Sequence, residues 1–271
     1  MFDDLRNKTA IITGAAQGIG KGILTDLVNH EVNVVLADIQ EEKSKALADS
    51  LGKRVAFIRA DLSLERDIQK IVEFSVKTFG GVDFLINNAR PRLNRSFQDS
   101  PIEEILMDDW DIGLDVLLKA PALLTKYSLP YLRESNSASI VNIVSTNALY
   151  VSQQSMIYHV AKAGLIHLSR YLAASLGRSG IRVNAVAPGL VDIMDDQKPL
   201  TGIPLNKRVA ELSVPLQRAA TVDEIALTVL FLCSTSSSYT NGQVLILDGG
   251  LSVMEHFHLV RTALCTVPKD E

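Results

Sequence analysis

The chain has only two cysteines in 271 residues, Cys233 and Cys265, one in an apolar helical run and one in the tail. They form no spaced set, which argues against a disulfide framework or a zinc site. Positive charge is also scarce. Twenty-seven Lys and Arg stand against 31 Asp and Glu, giving a net charge of −4 with both signs spread along the chain. A nucleic-acid partner would favour a basic face instead. No apolar run approaches the length of a membrane span. The first strand begins about eight residues in, with no basic segment leading into an apolar one, so a signal peptide is not expected. There is no internal repeat, low-complexity segment or Pro/Gly/Ser linker. The expectation is a reduced, cytoplasmic protein with a small-molecule partner, and neither nucleic acid nor membrane.

Apolar residues are plentiful at 47%, enough for a sizeable core. They fall into short β-branched runs alternating with helical patterns. TAIIT (9–13), VNVVLA (32–37), RVAFI (54–58), VDFLIN (82–87), SIVNIV (139–144), IRVNAV (181–186) and QVLIL (243–247) read as strands. Each is continuous rather than alternating, as parallel strands covered on both faces should be. Between strands, Ile68, Ile71, Val72, Ser75 and Phe79 follow the helical period. Seven strands with interleaved helices predict an α/β fold, a Rossmann-type doubly wound parallel sheet in one domain, 1–250. A tail, 251–271, follows. Ligands of such sheets bind outside the carboxyl ends of the strands.

The first strand runs into TGAAQGIG (13–20) and then a helical pattern. Gly14, Gly18 and Gly20 allow a tight turn and close approach of backbone to a pyrophosphate. Gln17 and Ile19 lie between them at a helix N-terminus, which supplies N–H donors. The second strand ends at Asp38, eighteen residues after Gly20. A carboxylate there can accept from the adenosine ribose hydroxyls and would repel a 2′-phosphate. Neither Gln17 nor Ile39 supplies a compensating cation, so NAD is expected over NADP. Asp61, followed by Leu62 at the third strand end, is a weaker candidate for the adenine edge.

Tyr158 and Lys162 are four residues apart in a helical segment and share one face. A free phenol titrates near ~10, too high for a base at neutral pH, and a nearby ammonium lowers that value. Such a pair suits an alcohol/ketone couple. Only Tyr158, of six tyrosines, has a lysine at that spacing. Ser145, thirteen residues earlier and just past the fifth strand, could hydrogen-bond a substrate oxygen beside the phenol.

With these residues in place, the chain resembles the short-chain dehydrogenase/reductase family of classical type. The likeness runs from KTAIITGAAQGIG through NNA, IVNIVS, YHVAK and RVNAVAPG to NGQVLILDGG. It implies hydride transfer between nicotinamide C4 and a carbon bearing oxygen. By motif, Ser145 positions the substrate oxygen and Tyr158 is the acid/base. Lys162 holds the nicotinamide ribose and lowers the Tyr158 pKa. Asn88 and Ala89 flank the cofactor, and Pro188 and Gly189 lie near the nicotinamide. The resemblance also implies a homo-oligomer, a tetramer more than a dimer. An NADP-dependent acyl-carrier ketoreductase and a non-catalytic nucleotide-binding protein are the rival readings.

Three positions depart from the family. Arg90 replaces the glycine of Asn-Asn-Ala-Gly, Leu117 replaces an asparagine that helps hold a water relay, and Ile193 replaces a threonine. The stretch after the fourth strand, NNARPRLNR (87–95), is also arginine-rich and lies at the expected crevice. Arg90 or Arg92, with Arg95 as a further candidate, is therefore expected to bind an anionic group on the substrate. The tail carries His256 and His258, read as exposed or interfacial rather than as metal ligands.

Overall fold

The computed structural model describes residues 2–91, 102–152, 154–193, 199–255, 257, 259–261 and 265. In chain order, β1 (Thr9–Thr13) leads to α1 (Gly18–Asn29), β2 (Asn33–Asp38) to α2 (Glu41–Leu51), and β3 (Val55–Arg59) to α3 (Glu65–Phe79). Next come β4 (Phe84–Asn87), α4 (Met107–Leu114), α5 (Ala120–Glu134), β5 (Ser139–Ile143), α6 (Met156–Leu176) and β6 (Arg182–Pro188). The last elements are β7 (Val191–Asp192), α7 (Pro204–Ser213), β8 (Ala220–Thr221), α8 (Val222–Cys233) and β9 (Val244–Leu247).

All seven expected strands form one parallel sheet in the order β3-β2-β1-β4-β5-β6-β9. The single α/β domain is doubly wound, and the strand sequences show why. Successive side chains point to opposite faces, and both faces are buried. On β1, Ala10 and Ile12 join a core cluster with Ile23, Leu24 and Leu27 of α1 and Val229 and Leu230 of α8. Ile11, between them, joins the opposite cluster with Ile68 and Ile71 of α3 and Leu124 of α5. Phe84 and Ile86 against Leu85 repeat the pattern on β4. Truncating any of these isoleucines or leucines to alanine would cost about 2–5 kcal/mol.

The order reverses between β1 and β4, the chain having gone outward to β3 and crossed back. That switch point opens a crevice at the carboxyl ends of these two strands.

Two features were not foreseen. A second, two-stranded sheet pairs β7 with β8, and strands of two residues carry no readable period. Between α4 and α5 the helix continues through a π turn, Asp115–Lys119. Leu117 sits in this turn and is buried. π turns inside α-helices recur at functional sites.

Candidate active site

At the switch point, the glycine loop and the end of β4 lock together. Gly14 has φ of 66°, and a Cβ on it would lie 2.6 Å from the Ala89 Cα. A Cβ on Gly20 would lie 2.4 Å from Asn88 Nδ2 and from the Gly14 carbonyl oxygen. Asn88 Nδ2 donates to the carbonyls of Thr13 (3.0 Å) and Gly14 (2.8 Å). In return, Thr13 Oγ1 accepts from the backbone N–H groups of Asn88 (3.1 Å) and Ala89 (3.2 Å). Gln17 is the N-cap of α1 but its side chain makes no capping bond, so no cap side chain covers the first-turn donors of Gly18 and Ile19.

Asp38 closes this end. It is buried, and its two carboxylate oxygens accept from Ala16 N (3.0 Å) and Gln40 N (2.9 Å). The expectation that no cation stands nearby is corrected here: Lys43 Nζ donates to Gln17 Oε1 at 3.3 Å. Lys43 belongs to α2, and only the packing of that helix beside the glycine loop brings it there. Asp61 folds back on Ser63, accepting from its N–H (3.0 Å) and hydroxyl (2.7 Å). Leu62 lines a small cavity together with Lys162. Pro188 ends β6, its carbonyl accepting from Thr146 Oγ1 at 3.4 Å, and Gly189 N donates to the Leu247 carbonyl at 2.9 Å.

The chemical end gathers from β5, α6 and the end of β4. Ser145 leaves β5 in extended conformation and its Oγ accepts from Asn147 N at 3.2 Å, capping a short 3-10 turn, Thr146–Ala148. The same hydroxyl is hydrogen-bonded to the Tyr158 phenol. Lys162, one turn further along α6, is buried, and its Nζ donates to the Ile143 carbonyl at 2.6 Å. Nζ lies 5.7 Å from the centre of the Tyr158 ring. Ser145, Tyr158 and Lys162 are thus brought together as the spacing implied.

Their electrostatics differ from the expectation. Burial pushes the Tyr158 phenol above its ordinary value, opposed by the Ser145 hydrogen bond and the Arg90 charge. Burial likewise brings Lys162 down to about 7, and Arg90 adds to that. The phenol thus stands raised rather than lowered. Arg90, exposed, is the cation whose charge acts on both groups. Arg92, Arg95, His256 and His258 lie outside the described residues.

Ile193, where the family carries threonine, sits within 3.4 Å of where a Gly18 Cβ would be. Sequence reasoning missed His159. Its Nε2 accepts from Ser152 N (3.0 Å) while Nδ1 pairs with the Ser155 carbonyl (2.9 Å), pinning the segment between Ser145 and Tyr158. Both partners are backbone groups, so no residue pattern announces the contact. Among the described residues, no group of three His, Cys, Asp or Glu could hold a metal. No helix among them is long and apolar enough to cross a membrane.

A doubly wound sheet with a glycine cradle at its switch point and a Ser–Tyr–Lys set beside it defines a Rossmann-type α/β protein with a candidate acid/base set at its crevice. Residues 14–252 match the family model described as enoyl-(acyl carrier protein) reductase. The chain is 34% identical over 253 residues to a 3-oxoacyl-[acyl-carrier-protein] reductase of Thermotoga maritima, covering 92% of this chain and 99% of that protein. It is 32% identical to a 7alpha-hydroxysteroid dehydrogenase of Bacteroides fragilis, covering 91% and 95%. It is 31% identical to a cis-4-hydroxycyclohexanecarboxylate dehydrogenase of Sinomonas cyclohexanicum, covering 94% and 100%. The chain belongs to the short-chain dehydrogenase/reductase family, a family of nicotinamide-dependent oxidoreductases.

Proposed function

We propose that the protein is an NAD(H)-dependent oxidoreductase that interconverts a secondary alcohol and a ketone on a small molecule bearing an anionic group. The observation that carries this is the Ser145–Tyr158–Lys162 set next to the glycine cradle, with Arg90 beside it. The cradle suits a dinucleotide. Side chains at Gly14 and Gly20 would collide with the end of β4, the first-turn donors of α1 suit a pyrophosphate, and buried Asp38 suits ribose hydroxyls. Gln17, Gly18, Ile19, Asp38, Asn88, Ala89, Pro188 and Gly189 would hold the cofactor, which when bound supplies or takes up the hydride.

The chain's own residues handle the oxygen and its proton. Ser145 donates a hydrogen bond to the substrate oxygen and fixes it beside the phenol. In reduction, the Tyr158 O–H gives its proton to that oxygen as it gains negative charge, leaving phenolate. The raised phenol pKa keeps this proton in place at neutral pH until the substrate oxygen takes it. Phenolate is stabilised by Arg90, with Lys162 as the further cation below its pKa of about 7. The guanidinium of Arg90 also suits a carboxylate or phosphate on the substrate. Exposed Met156, Val160 and Tyr171 along α6 support packing of a homo-oligomer across that helix.

A second reading, an NADP-dependent reductase of an acyl-carrier substrate, is favoured by Lys43 beside Gln17 and by the name of the Thermotoga relative. Fluorescence titration with NADH and NADPH separates the two readings, and a ketone screen followed by nicotinamide absorbance tests the chemistry. Tighter NADH binding with turnover of a keto acid is expected. Preference for NADPH would transfer the assignment to the second reading.

A further inference from the structure

Asn87, the last residue of β4, is buried, and its Oδ1 has no hydrogen-bond partner among the described residues. A chain of bonds fixes which end of the amide this is. Ser169 Oγ donates to the Leu165 carbonyl at 2.7 Å, an atom that can only accept. Ser169 Oγ must then accept from Asn142 Nδ2 at 2.8 Å, and Asn142 Oδ1 must accept from Asn87 Nδ2 at 2.7 Å. The oxygen of Asn87 is left over. A buried acceptor without a donor costs about 1–3 kcal/mol, so an unpaired one points to a missing partner.

Asn87 lines a cavity of about 10 Å³ together with Thr13, Leu117, Ala120 and Lys162. That volume is what one water molecule requires. The polar partners are also present. Lys162 Nζ carries three protons, one of which goes to the Ile143 carbonyl. Thr13 Oγ1 accepts two backbone N–H groups while its own proton has no acceptor among the described residues. Leu117, on the π turn, contributes only an apolar wall where the family carries an asparagine.

We infer that this cavity holds one structural water, donating to Asn87 Oδ1 and accepting from Lys162 Nζ, and that Asn87 is thereby a positioning residue for Lys162. The amide of β4 replaces what Leu117 cannot offer, a polar anchor behind the lysine. The water gives the buried ammonium a second solvating partner besides Ile143. Tyr158 on the same helix and Arg90 from the end of β4 are the other titratable or charged groups that act on Lys162. The consequence for catalysis rests on the role proposed for Lys162; the water itself does not.

Two measurements on the full chain without cofactor test this. A high-resolution crystal structure should show a water within hydrogen-bond distance of both Asn87 Oδ1 and Lys162 Nζ. NMR titration of carbon-13-labelled lysine should then compare wild type with Ala120→Val, which fills the cavity and leaves the Asn87–Asn142 bond intact. Losing the water should raise the Lys162 acid dissociation constant about tenfold. Asn87→Leu should act in the same direction. A purely structural Asn87 would leave the Lys162 titration of Ala120→Val unmoved. A dry cavity, or equal Lys162 titration in wild type and Ala120→Val, overturns the inference. Neither readout needs turnover, so failure of the ketone screen would sink the functional reading alone.

Discussion

The two ends of the crevice are built from different materials. The cofactor end is backbone held by backbone: Gly14 and Gly20 pressed on Ala89 and Asn88, and Asp38 accepting two main-chain N–H groups. The chemical end is side chain set against burial: a phenol pushed up and a lysine brought down to about 7 within one turn of α6. The first end works by shape, which a single added methyl disturbs. The second works by charge balance, set first by burial and then by the neighbouring Arg90. A site of the first kind tolerates pH and resists substitution of glycine. A site of the second kind should respond to pH and to the removal of a neighbouring charge.

The largest effect should come from Lys162→Met. The folded pKa of Lys162, about 7, lies below its ordinary 10.5, so the unfolded chain binds more protons between these values. Stability of the wild type should therefore rise with pH across that window, by about 1.4 kcal/mol per pH unit. The penalty is fully present below pH 7. Urea unfolding at several pH values should show wild type gaining on Lys162→Met from pH 7 to 10; parallel curves would mean that the lysine is not desolvated.

Removing the rim charge comes next. Arg90→Ala should lower kcat/KM for a keto acid about ten- to hundredfold, corresponding to about 1.5–3 kcal/mol. The neutral amide or ester of the same ketone should lose much less. Equal losses on both would leave Arg90 as an electrostatic neighbour of Tyr158 and not an anion site.

Gly20→Ala tests the shape-built end. Crowding its Cβ against Asn88 and Gly14 should cost about 1–3 kcal/mol, read as weaker NADH binding and lower stability together. Unchanged NADH affinity would show that the cradle is looser than its contacts imply. The smallest effect is expected for Asp38→Ser. It removes the carboxylate and leaves Lys43 beside Gln17, so NADPH should gain about tenfold relative to NADH in a fluorescence titration.

How far the sequence revealed this molecule follows the same division. All seven strands of the large sheet were legible, because continuous apolar runs such as FLIN of β4 are buried on both faces. The glycine spacing, Asp38 and the grouping of Ser145, Tyr158 and Lys162 were legible too, being local patterns at strand ends or along one helix. The two-residue strands β7 and β8 were too short to carry a period. Lys43 was passed over because its partner Gln17 lies on another element, 26 residues away. The pKa of Tyr158 was misjudged for a related reason. The four-residue spacing puts Lys162 on the same face, but says nothing of how deeply both groups are buried or that Lys162 turns to the Ile143 carbonyl. The orphaned oxygen of Asn87 could be found only after the hydrogen bonds among β4, β5 and α6 had been traced.

The most direct test of the central claim is Tyr158→Phe, which deletes one hydroxyl and little else. NADH affinity should be measured by fluorescence, and turnover of the best substrate from the ketone screen by nicotinamide absorbance. Turnover should fall at least about a hundredfold, the usual worth of a general acid, with NADH affinity nearly unchanged. Turnover close to that of wild type would contradict the account, because the proton would then reach the substrate by a route that does not pass through Tyr158.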